Sequence, residues 1–275
     1  MNKIILENEK IKTKELDNNI KFDIFTNETF GITTLTIEIN ENTNLELNYN
    51  CKEETKLETT IIINKNSELK LFEKITGKYA KIRTKYYLKE NAKVKTSKFN
   101  DIEEIKEYTI INLDEENANI EYNLKTIAEQ EENYDILTYH NAKNTISKIN
   151  PNGVNIQGKI KFNLSSFVPK GIKNCDASQK SKIINLTDSE CIINPNLYID
   201  EYDVTASHSA WIGTFKREEI FYLESRGINK KDALNLLIKG FLTSNLDIIE
   251  EEKENIKNIL DKNWRWKKWE KTSQC

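Results

Sequence analysis

The sequence predicts a mainly β protein: a right-handed parallel β-helix, or solenoid, over residues 31–213, preceded by a lead-in of 1–30 and followed by a small C-terminal α-helical segment over 214–275. Three observations carry this expectation. Asparagine corners recur at near-constant spacing through the first half, β-branched runs fill the intervals, and helical periodicity begins only after Thr214.

The corners come first. The strings ENTNLEL from Glu41, KNSELKL from Lys65, ENAKVKT from Glu90 and ENANIEY from Glu116 line up, setting Asn42, Asn66, Asn91 and Asn117 24, 25 and 26 residues apart. Weaker echoes follow in KNTISK from Lys143 and KGIKNC from Lys170. Asparagine tolerates the left-handed backbone that a tight corner needs. The alternating residues after it send one set of side chains inward and the other outward. Runs such as TTLTIEI and ETTIIINK continue the strand character between corners. One coil of this kind has no core of its own, so coils stack, about 4.8 Å apart. A sandwich of hairpins is the competing account. Hairpin turns favour Asn-Gly or Asp-Gly, and glycine follows none of the four asparagines.

Beyond Asn150, strand-like pieces (Ile156–Leu164, Lys182–Leu186 and Leu197–Ile199) alternate with expected corners at Gly153, Gly171 and Asp188. Pro195, unable to donate to a ladder, belongs at a strand edge or corner. From Thr214 the spacing turns helical. Phe215, Ile220 and Leu223 share one side, and Gly227 stands where a helix ends. Asn229 is an N-cap for a second helix, with Asp232 in its first turn and a stripe of Leu234, Leu237, Ile238 and Phe241. A third helix is expected from about Asp247 to Trp264, carrying Ile248, Ile249, Ile256, Ile259 and Leu260.

Composition bounds the function. Lysine and arginine number 41 against 44 acidic residues, a formal net charge of −3 that gives no electrostatic case for nucleic acid. No apolar run is long enough to span a membrane, and the N-terminus shows no signal-peptide h-region. Cys51, Cys175, Cys191 and Cys275 are scattered without CxxC spacing, so a cytoplasmic, reduced protein is expected.

His208, one of two histidines, lies in YDVTASHSAWIG (Tyr202 to Gly213). It reads as a hydrogen-bonded histidine fixing the last corner, or as a metal or cluster ligand; a catalytic base lacks a neighbouring nucleophile or orienting group. Cys175 and Cys191, 16 residues apart, read either as thiolate ligands that approach across neighbouring turns or as small buried hydrophobes. His140 reads as structural polar packing. The tail NWRWKKWEKTSQC interleaves Trp264, Trp266 and Trp269 with lysines, a pattern for a membrane surface or nucleic acid, or for tryptophans packed back on the helices.

The stretch NPNLYIDEYDVTASHSAWIG, followed by EEIFYLESRGINKKDALNLLIKGF, resembles the C-terminal core of the SufB/SufD family of iron–sulfur cluster assembly proteins. The family pattern P-x-L-x-I-x-x-x-D-V-x-x-S-H-x-A-x-x-G is met by Pro195, Leu197, Ile199, Asp203, Val204, Ser207, His208, Ala210 and Gly213. F-Y-L-x-S-R-G is met from Phe221 to Gly227, and Ala233, Leu237, Ile238 and Phe241 follow. Upstream, HNAKNTISK and CDASQKSKIINLTD resemble further family stretches, so the specific match covers about residues 134–243.

The resemblance implies a β-helix that pairs with a SufB-like paralogue or with itself. It also implies a non-catalytic scaffold for a transient iron–sulfur cluster, docked on a SufC-like ABC ATPase through Phe221, Tyr222, Arg226 and Gly227. His208 matches the family histidine implicated as a cluster ligand. Three departures stand out. Ser181 occupies the position of a SufB-type cysteine, Ser209 that of a glutamate after the histidine, and Ala206 that of a cysteine found in many SufD-type members. The chain is thus similar to SufD rather than SufB, or to a reduced relative. A β-helical interaction protein without cluster chemistry is the alternative; a polysaccharide-processing β-helix enzyme would need a carboxylate pair that does not stand out.

Overall fold

The computed structural model describes residues 2–248 and 250–262, with no side-chain placement for 259, 260 and 262. The expectations attached to Ile249, Trp264, Trp266, Trp269 and Cys275, and to the side chains of Ile259 and Leu260, lie outside the described residues. The chain divides into two units, 1–214 and 215–275.

The strands in chain order are β1 (Asn2–Glu7), β2 (Lys10–Glu15), β3 (Ile20–Asn27), β4 (Ile32–Ile39), β5 (Thr43–Cys51), β6 (Thr55–Ile63), β7 (Glu68–Leu88), β8 (Lys93–Leu113), β9 (Asn119–Ala128), β10 (Glu131–His140), β11 (Ile146–Asn155), β12 (Lys159–Val168), β13 (Cys175–Asn185), β14 (Ile192–Ile199) and β15 (Val204–Gly213). They form a β-solenoid of about seven turns. One face stacks β1, β5, the first half of β7, the first half of β8, β9, β11, β13 and β15, all parallel. The other stacks β4, β6, the second halves of β7 and β8, β10, β12 and β14, again parallel. β1 already belongs to the stack, so the first rungs begin within the expected lead-in. The antiparallel strands β2 and β3 lie along the N-terminal edges of the two faces.

The corner physics holds rung by rung. Asn66, Asn91, Asn117, Asn144 and Asn174 all adopt positive φ, between 56° and 62°. The first four donate their backbone N–H to the carbonyl of the residue preceding the next corner, Asn66 to Glu90, Asn91 to Glu116, Asn117 to Lys143 and Asn144 to Lys173, and Asn174 donates to Asp203, just ahead of β15. The side chains also form a ladder. The Asn91 amide donates to Asn66 at 2.8 Å, Asn117 to Asn91 at 2.9 Å and Asn174 to Asn144 at 3.2 Å. Asn42 departs from this pattern: it is not among the left-handed residues, and instead its Oδ1 accepts the Glu68 N–H at 2.9 Å. Gly153 is no corner either. It is buried within β11, where an added Cβ would lie 2.6 Å from Ile160 Cδ1. Gly171 does turn, with φ +88°, and Pro195 sits in β14, an edge strand, as its missing donor requires.

Inside the solenoid the alternating residues interdigitate as Leu, Ile and Tyr rows, and a polar file runs among them. Lys98, 1% exposed, donates to Glu107 at 2.7 Å and lies 3.2 Å from Glu73. Thr109 and Tyr122 also donate to Glu107. Burial alone would push the Lys98 ammonium down, but Glu107 and Glu73 hold its pKa above the ordinary lysine value. One rung on, Glu132 accepts from Tyr134 and Thr126, and burial raises its carboxyl to about 8.

The second unit contains α1 (Arg217–Ser225), α2 (Lys230–Thr243) and α3 (Glu250–Lys262). α1 ends as the glycine signal requires. Gly227 has φ +86°, its N–H donates to Glu224 O, and the Ile228 N–H reaches back to Leu223 O, a Schellman closure. Asn229 caps α2 by accepting the Asp232 N–H at 3.0 Å. The buried stripe of α2 is Ala233, Leu234, Ile238 and Leu242, with Leu237 and Phe241 half-buried, so the inward face is rotated from the expected one. Among the described residues no helix is long and apolar enough to cross a membrane.

Candidate functional site at the open end of the solenoid

The last rung is built from β14 and β15, each hydrogen-bonded along one edge only among the described residues, to β12 and β13 respectively. Register fixes which side chains face inward. Gln179 on β13 is buried and donates to Ser166 Oγ at 2.9 Å and to Asn196 O at 3.1 Å, so it faces the interior. His208 pairs with Gln179 and therefore shares its face, one rung further out. Val204, Ala206, Ala210 and Ile212 share this inward phase, and among the described residues no further rung covers them.

His208 is exposed in mid-strand, and among the described residues no hydrogen bond or ion pair engages its imidazole. The expected corner histidine with satisfied nitrogens is therefore not what stands here; the ring is free to accept a ligand. His140 matches the structural expectation instead. It is fully buried, within 2.8 Å of Thr145 Oγ1 and 2.9 Å of Ser147 Oγ, and burial lowers its pKa to about 4.

The cysteines do not gather around His208. Cys175 opens β13, buried against Val168 and Ala177, with its Sγ 3.2 Å from Thr145 Oγ1. Cys191, half-buried ahead of β14, is linked to Ile160 and Asn155, and burial raises its thiol. Asn155 pairs with Asn185, the last residue of β13. The two cysteines thus sit at opposite ends of one strand, about 30 Å apart at roughly 3.3 Å per residue, and the expected approach across neighbouring turns does not occur. Among the described residues no group of three or more histidine, cysteine, aspartate or glutamate side chains is placed to hold a metal ion.

The three family departures are legible in place. Ser181 faces inward beneath Ala210, buried, its Oγ without a protein hydrogen-bond partner. Ala206 is the same-face neighbour of His208 on β15, whereas Ser209 faces the opposite side. The chain thus offers an imidazole at its open end but, among the described residues, no thiolate beside it.

In the second unit, α1 buries no side chain. Phe221 is 71% and Tyr222 58% exposed, and the Arg226 guanidinium lies 5.3 Å from the centre of the Tyr222 ring. Arg226 therefore stacks rather than capping carbonyls.

Sequence reasoning missed the polar file around Lys98. The signal was parity: Glu73 is in phase with inward Leu69 and Leu71, and Lys98 with inward Val94. It also missed the absence of charge on the final rung.

The architecture defines a class: a parallel β-solenoid, open at its C-terminal end, followed by a helical unit that carries an exposed aromatic pair. Residues 26–241 match the family described as SUF system FeS cluster assembly, SufBD core domain. The chain belongs to this SufBD family. It is 33% identical over 138 residues to the iron–sulfur cluster assembly protein SufD of Bacillus subtilis, covering 49% of this chain and 32% of the relative. It is 32% identical over 100 residues to SufD of Escherichia coli, covering 36% and 24% respectively. A SufBD family protein of Pyrococcus horikoshii is 37% identical over 93 residues, covering 34% and 20%. The matched segments thus span about a third or less of these relatives' own length.

Proposed function

We propose that this chain, a member of an iron–sulfur cluster assembly family, acts as a non-catalytic, cytoplasmic scaffold subunit that pairs through the open end of its solenoid. One observation carries the pairing. The edge strands β14, IINPNLYI, and β15, VTASHSAWIG, contain no lysine, arginine, aspartate or glutamate, in a chain that is 31% charged. Exposed sheet edges are ordinarily blunted by charge. The N-terminal edge strands follow that rule, with Lys10, Lys12 and Lys14 on β2 and Lys21 and Asp23 on β3. An uncharged edge with exposed Ala206, Ala210 and Ile212 fits strand addition by a SufB-like paralogue or a second copy.

Pairing also bears on chemistry. A cluster on its way to a recipient is the cargo of such a scaffold, and clusters take several ligands, thiolates above all. His208 supplies one imidazole; the remaining ligands come from the partner across the joint. Cys175, buried, and Cys191, half-buried, at opposite ends of β13, act as packing residues. The exposed Phe221 and Tyr222, beside the Schellman-closed end of α1, are the anchors for a SufC-like ABC ATPase.

Two experiments test this reading. Phe221→Ala with Tyr222→Ala should abolish co-purification with the ATPase while leaving the melting temperature unchanged; retained binding removes these side chains from the docking surface. Anaerobic reconstitution of the paired complex with iron and sulfide should lose cluster absorbance in His208→Ala. Equal spectra would favour an interaction protein without cluster chemistry.

A further inference from the structure

The outer face formed by β6, β7, β8, β10 and β12 carries a trough of about 480 Å³ that runs across the rungs. One bank is a register column of Lys56, Lys81, Lys106, Asn133 and Lys161. The other is Glu58, Arg83, Tyr108, Asp135 and Asn163. Successive rungs are about 4.8 Å apart, so the column is roughly 19 Å long.

Like charges directly opposite each other on neighbouring strands destabilise a sheet, yet Lys56, Lys81 and Lys106 are three consecutive register partners. Carboxylates neutralise them poorly. Lys56 and Lys106 reach Glu54 at 3.3 Å and Glu104 at 3.8 Å, both on their own strands' side of the trough, while no ion pair engages Lys81 or Lys161 among the described residues. On the far bank Arg83 lies 3.9 Å from Glu58 and 5.3 Å from the centre of the Tyr108 ring. The opposite sheet shows the ordinary arrangement: there the outward lysine pair Lys70 and Lys95 is followed in register by Glu121. Composition does not account for a cationic row on a chain of net charge −3.

We propose that this trough binds a polyphosphate chain, the phosphates lying along Lys56, Lys81 and Lys106 with Arg83 across from them. An ammonium column at rung spacing matches a linear run of phosphates, because each lysine offers rotatable charge-assisted donors to oxygens on either side. Free polyphosphate and the triphosphate of a nucleotide share this chemistry; Tyr108 offers a ring for the base in the second case.

The test is calorimetric titration of the full chain, at low salt, with inorganic tripolyphosphate, ATP and adenosine. Saturable tripolyphosphate binding is expected, weakened at least about tenfold by Lys81→Gln with Lys106→Gln, consistent with two lost charge-assisted contacts. The double variant Lys70→Gln with Lys95→Gln makes the same change in net charge on the other sheet and should leave affinity within about twofold of the original. If the trough double variant fails to fold, the single variants, each expected to lose about threefold, carry the comparison. ATP binding like tripolyphosphate, with adenosine inert, assigns phosphate recognition alone; tighter ATP binding, reversed by Tyr108→Leu, assigns a nucleotide. No saturable binding, or equal losses in both double variants, overturns the proposal.

Discussion

Replacing Lys98 by methionine should be among the most damaging single substitutions in the solenoid. The change removes the only cation within 4 Å of Glu73 and Glu107 among the described residues, where all three side chains are at most 3% exposed. At 2.7 Å, with an effective dielectric of about 20, the Lys98–Glu107 attraction is worth roughly 6 kcal/mol gross; at 3.2 Å a fully ionised Glu73 would add about 5 kcal/mol, but burial and the neighbouring Glu107 raise its pKa and make its share smaller. Desolvation of the buried charges offsets most of that, so the triad as a whole adds little stability. Removing one partner is different: it leaves buried carboxylates uncompensated, at about 3–5 kcal/mol, a large share of the ~5–15 kcal/mol typical of a folded domain. Urea denaturation of Lys98→Met should show this as a lowered midpoint at unchanged slope. Adding Glu73→Leu and Glu107→Gln, which keeps an acceptor for Thr109 and Tyr122, should recover most of the loss. A cost under about 1 kcal/mol for Lys98→Met would show that the carboxylates do not depend on the ammonium.

Other consequences follow from the same interior. Glu132, held near 8 by burial against an ordinary value of 4.5, stays protonated in the fold while the unfolded chain ionises. Its contribution is therefore fully present below pH 4.5 and is lost as pH rises toward 8, at up to about 1.4 kcal/mol per pH unit; Glu132→Gln should flatten that slope in urea titrations. His140 acts in the opposite sense: with its pKa lowered from 6.5 to about 4, stability falls as pH drops through that window, and His140→Gln should reduce the acid sensitivity. Gly77→Ala should prevent accumulation of folded protein, because a Cβ there would lie 2.0 Å from the Cys51 carbonyl oxygen at φ +129°. Asn91→Ala should cost about 1–3 kcal/mol in urea melts, losing both ladder bonds and left-handed tolerance; Asn91→Gly, which keeps the tolerance, should cost less.

The corner rhythm was legible because it depends on local backbone conformation. Asn66, Asn91, Asn117 and Asn144 stand out in the sequence itself, since left-handed φ restricts residue choice at each position independently. Asn42 and Gly153 misled for a complementary reason: asparagine also serves as a plain acceptor, and glycine also makes room for a neighbour, as Ile160 needs. The helix signals at Gly227 and Asn229 were equally local and equally readable. Register was not legible in this way. Rungs differ in length, with corner asparagines 25, 26, 27 and then 30 residues apart from Asn66 to Asn174, so cross-rung neighbours cannot be counted off. The lysine column, the separation of Cys175 from Cys191 and the placement of His208 over Gln179 all depend on that register. The inward phase of Glu73 and Lys98 was present as simple alternation, masked by the habit of assigning charge to solvent.

Amide hydrogen exchange can decide whether the uncharged last rung is a joint between chains. The chain would be measured alone and in the assembled Suf-type complex, following peptides of β14 and β15 alongside those of β2 and β3. Amides of Val204 to Gly213 should become protected on assembly while β2 and β3 exchange as before. Unchanged exchange across β15, or protection confined to the lysine-bearing N-terminal strands, would contradict a joint there.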